Sequence, residues 1–408
     1  MTLTARLNTV HDLLRAMLIH KASDLFISSG SPASFKTHGS MEPANAILLS
    51  DVDTREMAQS IMSDKQRAEF EATSECNFAI APEGIGRFRV NIFVQQQRVS
   101  MVLRTIETEI PDFDKMGLPA VLKNLVMEKR GLVLLVGGTG SGKSTSLAAM
   151  IGHRNRNSKG HIITIEDPVE YVHKPAGCII SHREVGVDTE SWQAALKNTL
   201  RQAPDVILIG EIRDMETMEH ALAFAETGHL CLATLHANSA NQALERIMNF
   251  FPFERREQLQ MNLSLNIKGI VSQRLVPKVD GGRVAAIEIM LASSTIKDMI
   301  SKGAIGELKN AIAKSRELGM QTFDQVLFDL YETGLISYEE TIRNADAVND
   351  LRLKLKLQSK RFIAEGDTTA RIMTMAPDKP DEVAEQAKGV EAVTPQAPAT
   401  CGLELSLA

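Results

Sequence analysis

Residues 137–145 read Gly137, Gly138, Thr139, Gly140, Ser141, Gly142, Lys143, Ser144 and Thr145, directly after an apolar run at 132–136. Small residues at this spacing let the backbone curl so that successive N–H groups converge on one point, which suits phosphate oxygens. Lys143 adds a cation for the β- and γ-phosphates, and the Ser144 hydroxyl adds a ligand for magnesium. A helix starting near Lys143 presents its positive end to the same point. Run, glycine motif and helix in this order predict a site for a nucleoside triphosphate, ATP with Mg2+ being the simplest pair.

Two carboxylates compete for the remaining chemistry. An attacking water needs a base or an orienting group, and magnesium takes oxygen ligands, often carboxylates through water. Glu211 follows the apolar run 206–209, with Gly210 standing where such sites usually carry an aspartate. Glu166 ends the run 162–165. Glu211 is assigned to the magnesium shell with Ser144, and Glu166 to water activation, with exchange of the two roles left open. His236 follows the run 230–235, where an imidazole can donate to a γ-phosphate and lose that partner on hydrolysis. His229 precedes the same run and carries the weaker argument. Arg87, Arg89, Arg104, Arg201 and Arg213 are candidates for neutralising phosphate charge, from this chain or a neighbouring subunit.

The elements that must position these residues are legible in outline. From about residue 115, apolar runs alternate with helical spacing, the signature of a parallel sheet with crossover helices. Each of four runs ends in chemically able residues, and in open α/β sheets that C-terminal edge forms the ligand crevice. Residues 1 to about 110 read as a small α+β unit. Leu13, Leu14, Met17 and Leu18 mark an amphipathic helix, a short strand covers 25–27, and 87–93 alternates with period two. Gln95, Gln96 and Gln97 separate that strand from 99–103, predicting an antiparallel hairpin with a longer loop. Asp24 reads as a cap or turn residue, residues 107–114 as a linker, and Trp192 as core or interface packing. Residues 254–357 read as mostly helical, with one further strand near 284–290 and helical spacing at 294–300, 321–331 and 337–343. From 365 onward periodicity is lost among prolines and charges, so a disordered tail is expected.

Composition narrows the classes. A chain of 408 residues accommodates about two or three domains. The net charge of -6 and 4% aromatic content count against a nucleic-acid partner. The four cysteines are scattered with no close pair, against a zinc module or disulfide framework and in favour of reduced thiols in the cytoplasm. The N-terminus lacks a signal-peptide layout, and no apolar run approaches the ~18 residues of a membrane span, so direct membrane insertion is not expected.

Together and in this order, the motifs resemble the secretion-superfamily ATPases of type IV pili and type II secretion. Residues 137–145 match their Walker A loop, and Thr164-Ile165-Glu166-Asp167-Pro168-Val169-Glu170 resembles their Asp box. Gly210-Glu211-Ile212-Arg213-Asp214 matches their glycine form of Walker B. Thr227-Gly228-His229 through Leu235-His236-Ala237-Asn238 resembles their His box. Ala22-Ser23-Asp24-Leu25, Gly86-Arg87-Phe88-Arg89-Val90-Asn91 and Leu318-Gly319-Met320-Gln321-Thr322 are similar to segments of the retraction branch, PilT and PilU. The likeness covers roughly 5–345; the long N-terminal region and four-cysteine insert of assembly-type ATPases have no counterpart. The segment Ser-Ser-Thr-Ile-Lys-Asp-Met-Ile at 293–300, where PilT is expected to carry Ala-Ile-Arg-Asn-Leu-Ile, and the extension beyond about 350 point to the PilU side.

The resemblance implies a PAS-like α+β domain at 1–112, a RecA-like P-loop ATPase domain with C-terminal helices at 113–364, and the tail at 365–408. It implies a homo-hexamer in which Arg89 and Arg104 reach a neighbour's ATP. It also implies a PilT-type retraction ATPase and an inner-membrane pilus platform protein as partners, at the cytoplasmic base of the pilus. The expected function is ATP hydrolysis that powers or assists pilus retraction and twitching motility. The alternatives are an accessory subunit that docks on a PilT-type ring with its own hydrolysis dispensable and, less favoured, a nucleic-acid translocase.

Overall fold

The alternation at 87–93 becomes a strand whose Phe88, Val90 and Ile92 are fully buried, as a sheet with one covered face requires. The computed structural model describes residues 9–37, 40–106 and 109–362. The expected tail from 365 and the first two residues of the expected linker lie outside the described residues. By contacts the chain divides into residues 1–357 and 358–408; of the second unit, 358–362 are described, with Phe362 N–H donating to Ser359 Oγ at 3.0 Å.

Strands β1 (Asp24–Ser28), β2 (Ser34–Thr37), β3 (Ser40–Pro43), β4 (Glu75–Ile80), β5 (Arg87–Gln95) and β6 (Arg98–Ile106) form an antiparallel sheet in the order β3-β2-β1-β6-β5-β4. The helix Val10–Ile19 buries Val10, Leu13, Leu14 and Met17, which join Phe88, Val90, Met101 and Leu103 in one core. Two structural details correct the sequence reading. The β5–β6 connection is a tight turn of Gln96 and Gln97, both left-handed at φ 48° and 63°, rather than a longer loop. Glutamine tolerates that conformation without advertising it as Asn-Gly would. Asp24 is the buried first residue of β1 and accepts from Arg104 Nε at 2.7 Å, so its role is pairing rather than capping.

The second sheet contains β7 (Gly131–Val136), β8 (Gly160–Glu166), β9 (Cys178–Glu184), β10 (Val206–Ile209), β11 (Leu230–Leu235), β12 (Ile267–Pro277) and β13 (Arg283–Leu291). Their order is β13-β12-β7-β11-β10-β8-β9, parallel except for β13 on β12. Every residue of β7, β10 and β11 is buried, because helices cover both faces of a parallel sheet. Leu132, Leu134, Ile207 and Ala233 pack on one face with the helices Met215–Glu226 and Ala240–Phe250. Val133, Leu135, Leu208 and Leu232 pack on the other with Leu147, Met150 and Ile151 of the helix Lys143–Asn157.

Strand β12, within the stretch read as helical, is a further correction. Its buried Ser272 and Gln273 break the apolar run, and their polarity is satisfied by hydrogen bonds that no sequence pattern displays. The helices Ser294–Ser301, Phe323–Glu332 and Tyr338–Arg343 form where the spacing indicated, started by Ser293, Thr322 and Ser337 as N-caps. Cys76, Cys178 and Cys231 are buried free thiols. Among the described residues no helix is long and apolar enough to cross a membrane.

Candidate functional site

Parallel register brings the four strand ends together. Val136 pairs with Leu235, Ala233 with Ile209, and Ile209 with Ile165. The residues just beyond these ends, the 137–145 loop, His236, Gly210-Glu211 and Glu166, therefore emerge along one edge of the sheet.

The loop turns into its helix through Gly142, at φ 84°, a conformation side chains resist. Lys143 is buried, and its Nζ donates to the carbonyls of Gly137 and Gly138, each at 2.9 Å. Burial lowers the pKa of its ammonium, and the charges of Glu211 and Glu170 oppose that shift. Ser146 Oγ donates to Gln273 Oε1 at 2.7 Å, fastening the first helical turn to β12. The buried Ser141 Oγ has no hydrogen-bond partner among the described residues. Ser144 shares a small cavity with Thr164, Glu166, Tyr171, His173 and Thr234.

Glu211 is the hub of the edge. Its Oε2 accepts from Arg213 Nε at 2.8 Å, and its Oε1 lies 3.3 Å from His236 Nε2. The backbone explains the placement: Ile212 is buried and its N–H donates to Thr234 O at 2.9 Å, while Thr234 Oγ1 donates to Gly210 O. Asp214 then caps the next helix, accepting from Thr217 N–H at 2.8 Å.

Glu166 stands at the end of β8. Although the residue keeps some exposure, desolvation of its carboxyl raises its pKa from 4.5 to about 7, against opposing hydrogen bonds from Thr164 and from the Glu170 N–H. The glycine at 210 has a steric reason here. A Cβ at that position would lie 3.2 Å from Glu166 Cα and from Ile165 O and 3.3 Å from Glu166 Cγ, so any side chain there presses on Glu166 and requires a shift of a few tenths of an ångström.

Not every candidate joins this cluster. His229 precedes β11 at the opposite edge, its carbonyl accepting from Gly131 N–H, because β11 crosses the whole sheet between it and His236. Arg104 is on β6, paired to Asp24. Arg89 on β5 lines a cleft with Asn77, Asp167, Pro168 and Glu184. Arg87 pairs with Glu184 across the two sheets, and Arg213 lies in the site. The sequence reading missed Thr164, His182, Thr234 and Gln273, polar residues within or beside apolar strands; Thr164 interrupting 162–165 and Thr234 interrupting 230–235 were the visible signals.

The family model described as Type II/IV secretion system protein matches residues 5–288, which contain all four strand ends. The type IV pilus ATPase PilU of Pseudomonas aeruginosa is 58% identical over 349 residues, spanning 85% of this chain and 91% of that protein. The chain belongs to the PilT/PilU family of type IV pilus ATPases. The type IV pilus retractation ATPase PilT of the same organism is 40% identical over 336 residues, spanning 82% of this chain and 98% of that one. A crystal structure of the pilus retraction motor PilT with bound ADP superposes with a TM-score of 0.80 at 39% identity, covering 84% of this chain and 99% of that chain. Within the PilT/PilU family, the higher identity to PilU agrees with the departures at 293–300 and beyond 350.

Proposed function

We propose that this PilT/PilU-family ATPase hydrolyses ATP at the sheet edge, as one subunit of a six-membered ring that powers or assists type IV pilus retraction. The observation that carries the reading is the convergence of Lys143, Glu166, Glu211 and His236 on one edge beside the 137–145 loop. The loop N–H groups and Ser141 Oγ hold the phosphates, and Lys143 exchanges its two carbonyl partners for phosphate oxygens. Magnesium would be held by Ser144, Glu211, phosphate and water, and would neutralise charge on the β- and γ-oxygens.

Glu166 takes the proton from the attacking water, since a carboxyl near 7 is matched to that task at neutral pH. His236 donates to the γ-phosphate. Its neighbour Glu211 gives the imidazole a second contact, so loss of that phosphate is felt at both residues. Arg104 is offered to an adjacent subunit: its side chain is 66% exposed and is oriented by buried Asp24. Arg89, on β5 of the first sheet, is likewise assigned to a neighbour's site, and His229, at the opposite edge of the parallel sheet from His236, is given no step here. We assign residues 1–112 to a PAS-like cover and 113–364 to a RecA-like motor. Its place is the cytoplasmic base of the pilus, with a membrane platform protein and a PilT-type ATPase as partners.

The departure at 293–300, now the N-cap and body of the helix Ser294–Ser301, favours a second reading in which the chain assists a PilT-type ring. ATP turnover and pilus retraction, each measured with and without a PilT-type partner, test both. Turnover by this chain alone, with loss of twitching in a Lys143→Ala strain, supports the motor. Normal twitching in that strain leaves only the docking role.

A further inference from the structure

Beside Glu166, strand β9 carries polar side chains that no part of the proposed mechanism uses. Thr164 and His182 are register partners of the parallel β8–β9 pair, as are Glu166 and Glu184 two residues on. Thr164 and Glu166 therefore share a face of β8, next to the face on which His182 stands. Thr164 is completely buried.

The hydrogen bonds at His182 can run in one direction only. The backbone N–H of His173 lies 3.0 Å from His182 Nε2, and an amide can only donate, so Nε2 accepts. The neutral imidazole must then carry its proton on Nδ1, which lies 2.9 Å from Thr164 Oγ1 and donates to it. The threonine hydroxyl, having accepted from His182, is left with its own proton to offer the Glu166 carboxylate, which stands on the same face of β8 and lines the same cavity. Burial favours the neutral imidazole throughout. The charged and titratable groups around the chain of bonds are His173, stacked on His182 with centroids 5.9 Å apart, together with Arg87 and Asp188 near His182, and Glu170 and Arg87 near Glu166.

We propose that His182 is a positioning residue for ATP hydrolysis: through Thr164 it fixes the rotamer of Glu166 and keeps one carboxylate oxygen committed, so that the other is aimed at the attacking water. The inference rests on Glu166 as the water-activating group. Because His182 bonds to His173 and Thr164 and does not line the cavity shared by Ser144 and Glu166, its loss affects the rate of the chemical step and leaves nucleotide binding in place.

Steady-state ATP hydrolysis by the full-length chain tests this. His182→Phe keeps the ring and loses both hydrogen bonds; it is expected to lower kcat about tenfold and change KM by less than about twofold. His182→Gln can accept from His173 with its carbonyl and donate to Thr164 with its amide, and is expected to keep at least about half the wild-type kcat. Thr164→Val should lose as much as His182→Phe, and the double variant no more than either, because both break one relay. Should His182→Phe fail to fold, the pair Thr164→Val and His182→Gln decides alone: the first must lose kcat and the second keep it. Wild-type kcat in His182→Phe or Thr164→Val, an impaired His182→Gln, or multiplying losses in the double variant would overturn the relay. Glu166→Gln separates the two levels. A dead Glu166→Gln beside unaffected relay variants sinks the relay alone, whereas full turnover in Glu166→Gln removes the assigned role of Glu166 and the relay with it.

Discussion

At the scale of single residues, the site is a set of groups whose environments assign their tasks. Lys143 is buried with only backbone carbonyls to satisfy it, so Lys143→Ala should abolish nucleotide binding while the melting temperature stays near wild type; isothermal titration with ATP analogues and a thermal melt check both. The Glu166 carboxyl, held near 7 by desolvation, must be ionised to accept a proton, so turnover should fall with a slope of one log unit per pH unit below about 7. The same shift has a stability consequence. The folded pKa lies above the unfolded 4.5, so this group's contribution is complete below 4.5 and is lost as pH rises through 7. Glu166→Gln should therefore melt above wild type at pH 8 and close to it at pH 4. Gly210→Ala should lower kcat about tenfold by pushing Glu166 aside, since small misplacements of a reacting group are costly. An unchanged kcat would show that Glu166 has room to move.

At the scale of elements, parallel register does the assembling, and helix caps fix the segments beyond the strand ends. Asp214 both ends the Glu211 segment and starts the helix Met215–Glu226. Asp214→Ala should cost about 1 kcal/mol of stability, seen as a lower melting temperature, and should reduce turnover because Arg213 and Glu211 lose their anchor. Much of this level was legible in the sequence. Fully apolar runs at 132–136 and 206–209, and the run 230–235 broken only by Thr234, are what a doubly covered parallel sheet demands, and each points to the functional segment beyond its end. Polarity satisfied inside the sheet was not legible. Ser272 and Gln273 in β12, and Thr164 and His182 beside Glu166, are held by partners distant in sequence, so local periodicity gives no sign of them. Gly210 reads as a missing aspartate because Glu166, the group packed against it, is remote in sequence. Gln96 and Gln97 likewise concealed a tight turn that Asn-Gly would have disclosed.

At the scale of the whole molecule, the antiparallel sheet is tied to the parallel one by the ion pair of Arg87 and Glu184, whose side chains are 19% and 5% exposed. Glu184 also accepts from Val169 N–H at 3.2 Å, so the pair grips the loop after Glu166. Removing one partner strands a largely buried charge. Glu184→Ala should cost about 3–5 kcal/mol, and Arg87→Met with Glu184→Leu much less than the two singles together, in a thermal double-variant cycle. Additive losses would mean that the pair does not couple the sheets.

ATP turnover by Glu166→Gln, measured together with its affinity for ATP, is the most direct test of catalysis at this sheet edge. Wild-type affinity with kcat reduced at least about 100-fold is the expected result for a lost general base. Turnover near the wild-type rate at that same affinity would contradict the role given to Glu166 and the mechanism built on it.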